Sequence, residues 1–233
     1  GSSQSCASPN IVLNTIVAEA FDEIATKLEA LSKAEFQKGL QKILQDIVKK
    51  HKRVVFNGDG YNDAWKKEAA KRGLPNLHNT PEALKPLVKP DNIALFEKYG
   101  VFKASELKSR YEVFMEEYTK KVHIEAALAL NISKTMIMPA CLEYLGKLSS
   151  DAAVAKTAGV KSAALTGKCK LVATLVDALD KANAALEAVL KKDATQPKID
   201  AMNAVRAAAD KLELEVSDDL WPMPKYSELL FVY

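Results

Sequence analysis

The sequence predicts a predominantly all-α protein with long antiparallel helices, an Ala-rich helical hairpin and short irregular elements. Every long apolar pattern has the three- and four-residue spacing of a helix face, and residues 54–56 are the one short strand-like run. Alanine is dense and aromatic residues are absent from residues 151–212, a composition that lets two helices approach closely. The hairpin is therefore expected in this last part of the chain.

The start of the chain predicts a pair of helices. Apolar residues from Ile11 to Leu28 follow one broad helical stripe, so a helix is expected over residues 9–31. Ser32 and Glu35 have the spacing of a capping box and precede a second apolar stripe. This pattern predicts a second helix that ends near Lys50, and the broad stripes favour packing of both helices on a core.

Short elements are expected over residues 57–100. The strand-like residues 54–56 lead into a turn rich in glycine, asparagine and aspartate. A short helix over residues 62–71 should end at Gly73, because glycine commonly follows a helix C-terminus. Thr80 is expected to be the N-cap of the next helix, since a proline at the first helical position follows it.

The longest helix is expected to begin at Ser105 as its N-cap and to run past Met136. Pro139 lies inside this apolar pattern, which resumes beyond it, so the sequence predicts a kink and not a stop. The Ala-rich hairpin should then consist of helices over residues 162–190 and 198–216, joined by a short turn.

The hairpin and the tail are both expected to pack on the rest of the chain. Asn183 is the one polar residue in the apolar stripe of the first hairpin helix. Alanine buries little apolar area, so the hairpin should need a third surface, which the long helix would supply. Two prolines beside Trp221 exclude a helix there, and the apolar residues down to Phe231 predict a docked tail.

Composition excludes several classes of protein. The chain has 233 residues, of which 48% are hydrophobic and 27% charged, so disorder is excluded as its main state. Three separated cysteines exclude a disulfide scaffold and favour the cytoplasm. Lysine pairs lie among acidic residues, and no apolar stretch reaches the roughly 20 residues of a membrane span. We therefore expect neither nucleic acid nor a membrane as a partner.

Two patterns come close to known binding motifs. Asn57, Asp59 and Glu68 occupy positions 1, 3 and 12 of a calcium loop, but Asn62 stands where that loop needs glycine. An ordinary turn is therefore favoured. The pair Gly167-Lys168 resembles the end of a phosphate loop, but the preceding glycine is too far upstream and a cysteine replaces the magnesium-binding serine or threonine.

No other pattern indicates catalysis. The histidines are far apart in sequence and none has a second ligand at helical or turn spacing. They are His51, His78 and His123. Cys141 lies in a long apolar context, which favours a small buried filler over a nucleophile. We therefore assign no catalytic, cofactor-binding or metal-binding residue, and residue chemistry alone describes a helical scaffold.

Several stretches of the sequence are similar to the carboxy-terminal part of type III glutamine synthetase. In chain order they are Gly1-Ser2-Ser3-Gln4-Ser5 with residues 9–19, Phe56-Asn57-Gly58-Asp59-Gly60-Tyr61 with Trp65, and residues 71–77, 95–102, 109–112, 124–126 and 218–224. Such long ordered runs are more specific than a short motif. The resemblance is weakest over residues 149–215.

This resemblance implies an ATP- and magnesium-dependent ligase that activates the glutamate side chain as a phosphoryl ester, which ammonia displaces. In that family the metal-binding glutamates and phosphate-binding arginines lie upstream of the matched part, so none is carried over to a residue of this chain. ATP and magnesium are therefore expected in the parent enzyme and no cofactor in this piece. The implied partners are the rest of the catalytic domain and neighbouring identical subunits of a ring-forming oligomer.

The resemblance also implies a domain division and leaves one alternative open. Residues 1–56 would hold the end of the catalytic domain and a helical hairpin, residues 57–104 a connecting region, and residues 105–233 a carboxy-terminal helical domain with a docked tail. The start at Gly1 without methionine favours a piece of a longer protein. This piece is expected to be inactive alone, because no metal-binding carboxylate cluster or phosphate-binding arginine pair is recognisable in it. The alternative is an independent helical adaptor whose Ala-rich hairpin binds partner helices.

Overall fold

The computed structural model describes residues 5–230, except for the side chains of residues 226 and 227. The helices are α1 (Ala7–Glu29), α2 (Phe36–His51), α3 (Asp63–Lys71), α4 (Thr80–Leu84), α5 (Pro90–Lys98), α6 (Ala104–Ile132), α7 (Met138–Thr157), α8 (Ala163–Leu190), α9 (Thr195–Glu213) and α10 (Tyr226–Leu230). No strand occurs between residues 5 and 230, so the all-α prediction is confirmed. Every helix in this range is too short or too polar to span a lipid bilayer.

The chain divides into two compact units, Gly1–Glu116 and Glu117–Tyr233. The first unit has a small core, in which Phe96 and Leu107 are the buried large apolar residues of its described part. The second unit holds one large apolar cluster built from α7, α8, α9 and the segments beside them. The three-part division of residues 1–56, 57–104 and 105–233 stays a prediction.

In the first unit, α1 and α2 form the expected helical pair. The capping box predicted at Ser32 and Glu35 is wrong. The Ser32 hydroxyl donates to Glu35 Oε2 at 2.8 Å, so the two side chains bond each other and not backbone N–H groups. The backbone here forms a turn instead of a helical start, with the Glu35 N–H donating to the Ser32 carbonyl, and α2 begins only at Phe36.

The strand-like run over residues 54–56 does not form a strand. Lys52–Val54 is a 3₁₀ turn, and Val55 after it is extended. A strand needs a partner for its backbone N–H and C=O groups, and the described chain offers no second strand for pairing. Val54 and Val55 are largely exposed, and Phe56 makes a ring contact that is described below.

Two predicted N-caps are wrong by one or two residues. Asn79 caps α4, since its Oδ1 accepts the backbone N–H of Glu82 at 2.9 Å, and Thr80 is the first helical residue. α6 begins one residue before Ser105, and Glu106 Oε2 accepts the backbone N–H three residues upstream at 2.7 Å. A carboxylate in the first turn can satisfy such an N–H group, so Ser105 is not needed there.

The long helix continues through Pro139, as the sequence predicts. A π-helical turn, Ser133–Ile137, separates α6 from α7, and the Met138 N–H donates to the carbonyl of Ser133, five residues back. Pro139 follows directly and lies in the first turn of α7. Because proline has no N–H and crowds the preceding turn, the wider π turn accommodates it without ending the helix.

The Ala-rich hairpin is α8 and α9. Ser162 caps α8 by accepting the Leu165 N–H at 3.2 Å. The predicted start of the second hairpin helix at residue 198 is wrong, because α9 begins at Thr195 and Pro197 in its first turn loses no helical hydrogen bond. The hairpin seam is the buried apolar stripe of α8, which packs on both α9 and α7. Its residues are Val172, Val176, Leu179, Asn183 and Leu186. The long helix therefore supplies the expected third surface.

The tail docks through only part of its length. Trp221 packs against the apolar cluster of the second unit, and the proline-flanked segment is not helical, as predicted. Leu229 and Leu230 instead expose 67% and 65% of their surface, so docking there is wrong. They lie on the short helix α10. Phe231 lies outside the described residues.

Candidate functional site

One side of α1 carries large apolar residues that are open to solvent. Phe21 exposes 69% of its surface and Leu13 55%. Residues four apart lie on the same side of a helix, so the exposed apolar residues form one continuous surface. We call this surface the α1 face. It consists of Val12, Leu13, Ile16, Val17 and Phe21.

Polar contacts hold α1 against α5 in the first unit. Lys98 Nζ donates to Glu19 Oε2 at 2.6 Å and to Asp22 Oδ2 at 2.8 Å. The Tyr99 hydroxyl donates to the same Glu19 oxygen at 2.6 Å. Thr15 is buried on α1 and its hydroxyl donates within the helix. These bonds fix the position of the helix that carries the α1 face.

The two carboxylates of this network are already engaged by hydrogen-bond donors. Hydrogen bonds from Lys98 lower the pKa of Glu19 and of Asp22, and the same bonds raise the pKa of Lys98. The pKa of Tyr99 is raised because its hydroxyl donates to the ionised Glu19. Both carboxylates are therefore ionised at neutral pH and engaged by donors, which gives the network a structural role.

A second ordered surface is formed by residues 56–61, which we call the aromatic loop. The Phe56 ring stacks on Trp65 with centroids 4.3 Å apart and an interplanar angle of 24°. A Cβ on Gly58 would lie 2.8 Å from the Phe56 ring, so glycine permits the close approach of this backbone. Tyr61 at the end of the loop exposes 95% of its surface. The loop therefore presents a free aromatic side chain on a fixed base.

Arg72 fixes the segment that leads into the aromatic loop. Its Nη1 donates to the carbonyls of Val55 at 2.8 Å and of Arg53 at 3.2 Å. Its Nε donates to Glu68 at 2.7 Å, and its guanidinium lies 5.6 Å from the centroid of the Trp65 ring. A planar guanidinium can make all these contacts at once, whereas lysine cannot. The end of α3 thereby satisfies carbonyls that a strand partner would otherwise have bonded.

The residues of the would-be calcium loop are engaged elsewhere. Asp59 Oδ1 accepts the Tyr61 N–H at 2.9 Å, which is the geometry of an ordinary turn. Glu68 faces Arg72, whose hydrogen bond lowers the pKa of that carboxyl. Among residues 5–230, no three His, Cys, Asp or Glu side chains converge as a metal site would require.

The remaining sequence candidates are also separated. Gly167 lies inside α8, and Lys168 Nζ contacts Glu215 Oε2 at 2.5 Å, so the pair does not form a phosphate loop. His51 lies at the end of α2 and His123 within α6, and all three histidines are exposed. The structure brings none of these residues into a common site.

Cys141 is fully buried in the core of the second unit. Burial raises the pKa of its thiol to about 11 from the ordinary 9.0. The thiolate is the nucleophilic form of cysteine, so a buried protonated thiol of this kind is inert. The side chain fills space in the core beside the hairpin.

The buried thiol predicts a pH dependence of stability. Above pH 9.0 the unfolded chain loses the Cys141 proton while the folded chain keeps it, so stability falls until pH passes about 11. We expect the free energy of unfolding to drop across this window by about 2 kcal/mol more than in Cys141→Ala. Urea melts of both proteins from pH 8 to 11 measure the difference. Parallel pH profiles would contradict the prediction.

The α1 face and the aromatic loop were not identified from the sequence as functional surfaces. The sequence predicts that the broad apolar stripe of α1 packs on a core, and this prediction is wrong for the side that carries Leu13 and Phe21, which are exposed. The aromatic loop depends on Arg72, which lies 17 residues beyond Val55 and gives no local signal. An apolar stripe that is wider than one neighbouring helix can cover is the one sequence feature that could have indicated an open face.

Together these features describe an all-helical protein with two ordered helical units and, on the first unit, an apolar helix face left open to solvent. Residues 39–156 match the family model described as the glutamine synthetase C-terminal domain. The chain belongs to this family. The resemblance to type III glutamine synthetase that the sequence motifs indicated is thereby confirmed.

Curated relatives agree with this assignment. The chain is 37% identical to the type-3 glutamine synthetase of Dictyostelium discoideum, with 100% of this chain and 34% of the relative covered. It is 32% identical to the glutamine synthetase of Butyrivibrio fibrisolvens, over 90% of this chain and 32% of the relative. The glutamine synthetase of Bacteroides fragilis is 30% identical, over 99% of this chain and 34% of the relative. The chain thus spans about a third of the length of these relatives.

Proposed function

We propose that this chain is the helical carboxy-terminal part of a glutamine synthetase, which ligates ammonia to glutamate with ATP. Its own role is structural: it supports the catalytic part and contributes contacts between identical subunits of an oligomer. It has no catalytic activity alone and binds neither nucleic acid nor a membrane. The cytoplasmic location expected from its thiols is part of this proposal.

The observation that carries the proposal is the α1 face. Large apolar residues gathered on one side of a helix mark a surface that another protein surface covers. In the relatives about two thirds of the sequence lies outside the part matched here. The occupant we propose for the α1 face is the catalytic part of the same enzyme, and Tyr61 on the aromatic loop contacts a neighbouring subunit.

The described residues do not fit a magnesium site of their own. Magnesium requires carboxylates that converge on one point, and residues 5–230 hold no such cluster of acidic and histidine side chains. The acidic pair Glu19 and Asp22 is bonded by Lys98 and Tyr99. We propose that ATP and magnesium bind in the part of the enzyme that lies outside this chain.

The first test is an activity assay of the chain alone. With glutamate, ammonia, ATP and magnesium we expect no glutamine formation, because residues 5–230 hold no cluster of His, Cys, Asp and Glu side chains that could bind the metal. A coupled assay of phosphate release with direct detection of glutamine measures it. Turnover of about 10 per second, a typical enzyme rate, would contradict a purely structural role.

The second test compares one substitution in two contexts. Phe21→Asp on the α1 face should barely change the melting temperature of the isolated chain, because the side chain is exposed there. In a full-length synthetase that contains this chain, the same change should lower activity about tenfold or more and reduce the assembly mass, since it buries a carboxylate in an apolar contact. Light scattering and the activity assay measure both effects.

Gln41→Asp is the matched control, because it places the same charge on an exposed polar position of α2. It should be silent in both contexts. If Phe21→Asp were equally silent in the full-length enzyme, the α1 face would not be a contact and the proposed occupant would be wrong.

The alternative of an independent adaptor has less support. It requires an Ala-rich hairpin that is free to bind partner helices, but the hairpin seam is buried within the second unit. Val172, Leu179 and Leu186 are 0% exposed. A hairpin whose apolar stripe is already covered has little apolar surface left on that stripe for a partner helix.

A further inference from the structure

A groove in the first unit lies between the end of α2, the segment that follows it and the end of α3. We call it the valine groove, because Val48, Val54 and Val55 line it and expose 62%, 56% and 60% of their surface. Its volume is about 900 Å³, which is within the range of small-molecule sites. Three exposed valines in one groove form an apolar surface that a ligand can reach and cover.

Hydrogen bonds hold the walls of the valine groove in place. Arg72 lines the groove and donates to the carbonyls of Val55 and Arg53. The Val55 N–H donates to the Lys52 carbonyl at 3.1 Å. Valine side chains are also stiff, since branching at Cβ restricts χ1. A ligand would therefore order little of the protein, which lowers the entropic cost of binding.

The lining of the valine groove carries an excess of positive charge. It contains Lys52, Arg53 and Arg72 together with His51, and no Asp or Glu of residues 5–230 belongs to it. Glu68 pairs with Arg72 at 2.7 Å, so the charge of Arg72 is matched. The ion pairs found in the described part of the chain include neither Lys52 nor Arg53, and both residues are exposed. The groove therefore offers two available cations beside an apolar surface.

We propose that the valine groove binds a small apolar carboxylate, in which one anionic head adjoins an alkyl or aryl body. The carboxylate accepts hydrogen bonds from Lys52 and Arg53, since a guanidinium fork matches the two oxygens of a carboxylate. The body covers the three valines. Charge complementarity selects this ligand, because a neutral molecule would leave both cations unused and a cationic one would be repelled. The proposal does not depend on the proposed synthetase function.

Octanoate is the probe for the test. Acetate has the same head without the alkyl chain, and 1-octanol has the same chain without the charge. In a ¹⁵N spectrum of the whole chain, the backbone N–H signals of Val54, Val55 and Asn57 report on the groove, and the indole signal of Trp221 in the second unit is the reference. Octanoate should move the groove signals with a dissociation constant in the millimolar range and leave the reference in place. Acetate and 1-octanol should each bind at least about fivefold more weakly.

Two pairs of variants test the two parts of the groove. Arg53→Gln should weaken octanoate binding about fivefold, because it removes one of the two cations. Lys49→Gln is its matched control, since it removes the same charge from an exposed position of α2 outside the lining, and it should barely change affinity. Val54→Ser should weaken binding about threefold through lost apolar contact, whereas Val160→Ser, at a valine of the second unit that is 59% exposed, should not. All four positions are exposed, so the melting temperatures should change little.

The same titration tests the alternative occupants of the groove. If a peptide that alternates leucine and aspartate binds more tightly than octanoate, the groove is a docking site for a protein segment and the proposal is overturned. If the groove signals move with the concentration of the protein alone, a second copy covers the groove, with the same consequence. The proposal is also overturned if octanoate moves no groove signal, if acetate or 1-octanol binds equally well, or if Arg53→Gln and Lys49→Gln have the same effect.

Discussion

Replacing Val176 with aspartate should destabilise the second unit by several kcal/mol. Val176 lies in the hairpin seam with 6% of its surface exposed, and its neighbours along the seam are Val172 and Leu179. None of these groups can pair with a carboxylate, so the charge would be buried without compensation. Urea melts followed by the fluorescence of Trp221, which packs on the same cluster, measure the loss.

Lys181→Asp is the matched control on the exposed side of α8. It should cost less than about 1 kcal/mol, because its carboxylate stays in water. The comparison separates burial from the general effect of an added acid on a helix. Equal small losses for both variants would mean that the seam is open to water and that the hairpin is free to serve as an adaptor arm.

The second large effect is expected at Leu107 in the first unit. Leu107 is 0% exposed, whereas most of the large apolar residues of α1 and α2 are partly or fully exposed. Leu107→Ala removes one of the few fully buried side chains of a small core and leaves a cavity, at a cost of about 2–5 kcal/mol. The transition reported by Trp65 fluorescence should therefore move to a markedly lower urea concentration.

Lys108→Ala, at the next and exposed position of α6, should change this transition by less than about 0.5 kcal/mol. The two variants share the same helix and the same new residue, so their difference measures burial. A transition that moves equally little in both would contradict the assignment of Leu107 to the core of the first unit.

The sequence was most informative where periodicity alone determines structure. The spacing of Val172, Val176 and Leu179 placed the hairpin seam correctly, because a buried helix face must repeat every three or four residues. The predicted need for a third surface also followed from composition. Asn183 in the same stripe is only 1% exposed, which agrees with its place in the pattern.

Helix starts were less predictable, because several side chains compete for the same few N–H groups. Asn79 and Thr80 are adjacent and both are good caps, and the sequence does not say which residue turns its side chain inward. The same holds at Ser105, where Glu106 satisfies the N–H group instead. Ser32 and Glu35 have the right spacing, yet bond each other.

The candidate surfaces were hardest to predict. A stripe such as that of α1 shows which side of a helix is apolar but not what covers it, so Phe21 could not be distinguished from a core residue. The aromatic loop depends on Arg72 bonding to Arg53, which is 19 positions away. The π-helical turn shifts the apolar pattern by only one residue, which a search for three- and four-residue spacing does not detect.

The π-helical turn Ser133–Ile137 acts as a one-residue insertion in an otherwise continuous helix. One residue corresponds to a rotation of about 100° around a helix axis. Without it, Cys141 and Leu148, which are 0% and 8% exposed, would rotate away from the hairpin that they now contact. The number of residues between the buried positions of α6 and those of α7 is therefore fixed. Deleting one residue from this turn would make the helix more regular, but it would rotate the buried side of α7 away from its present contacts.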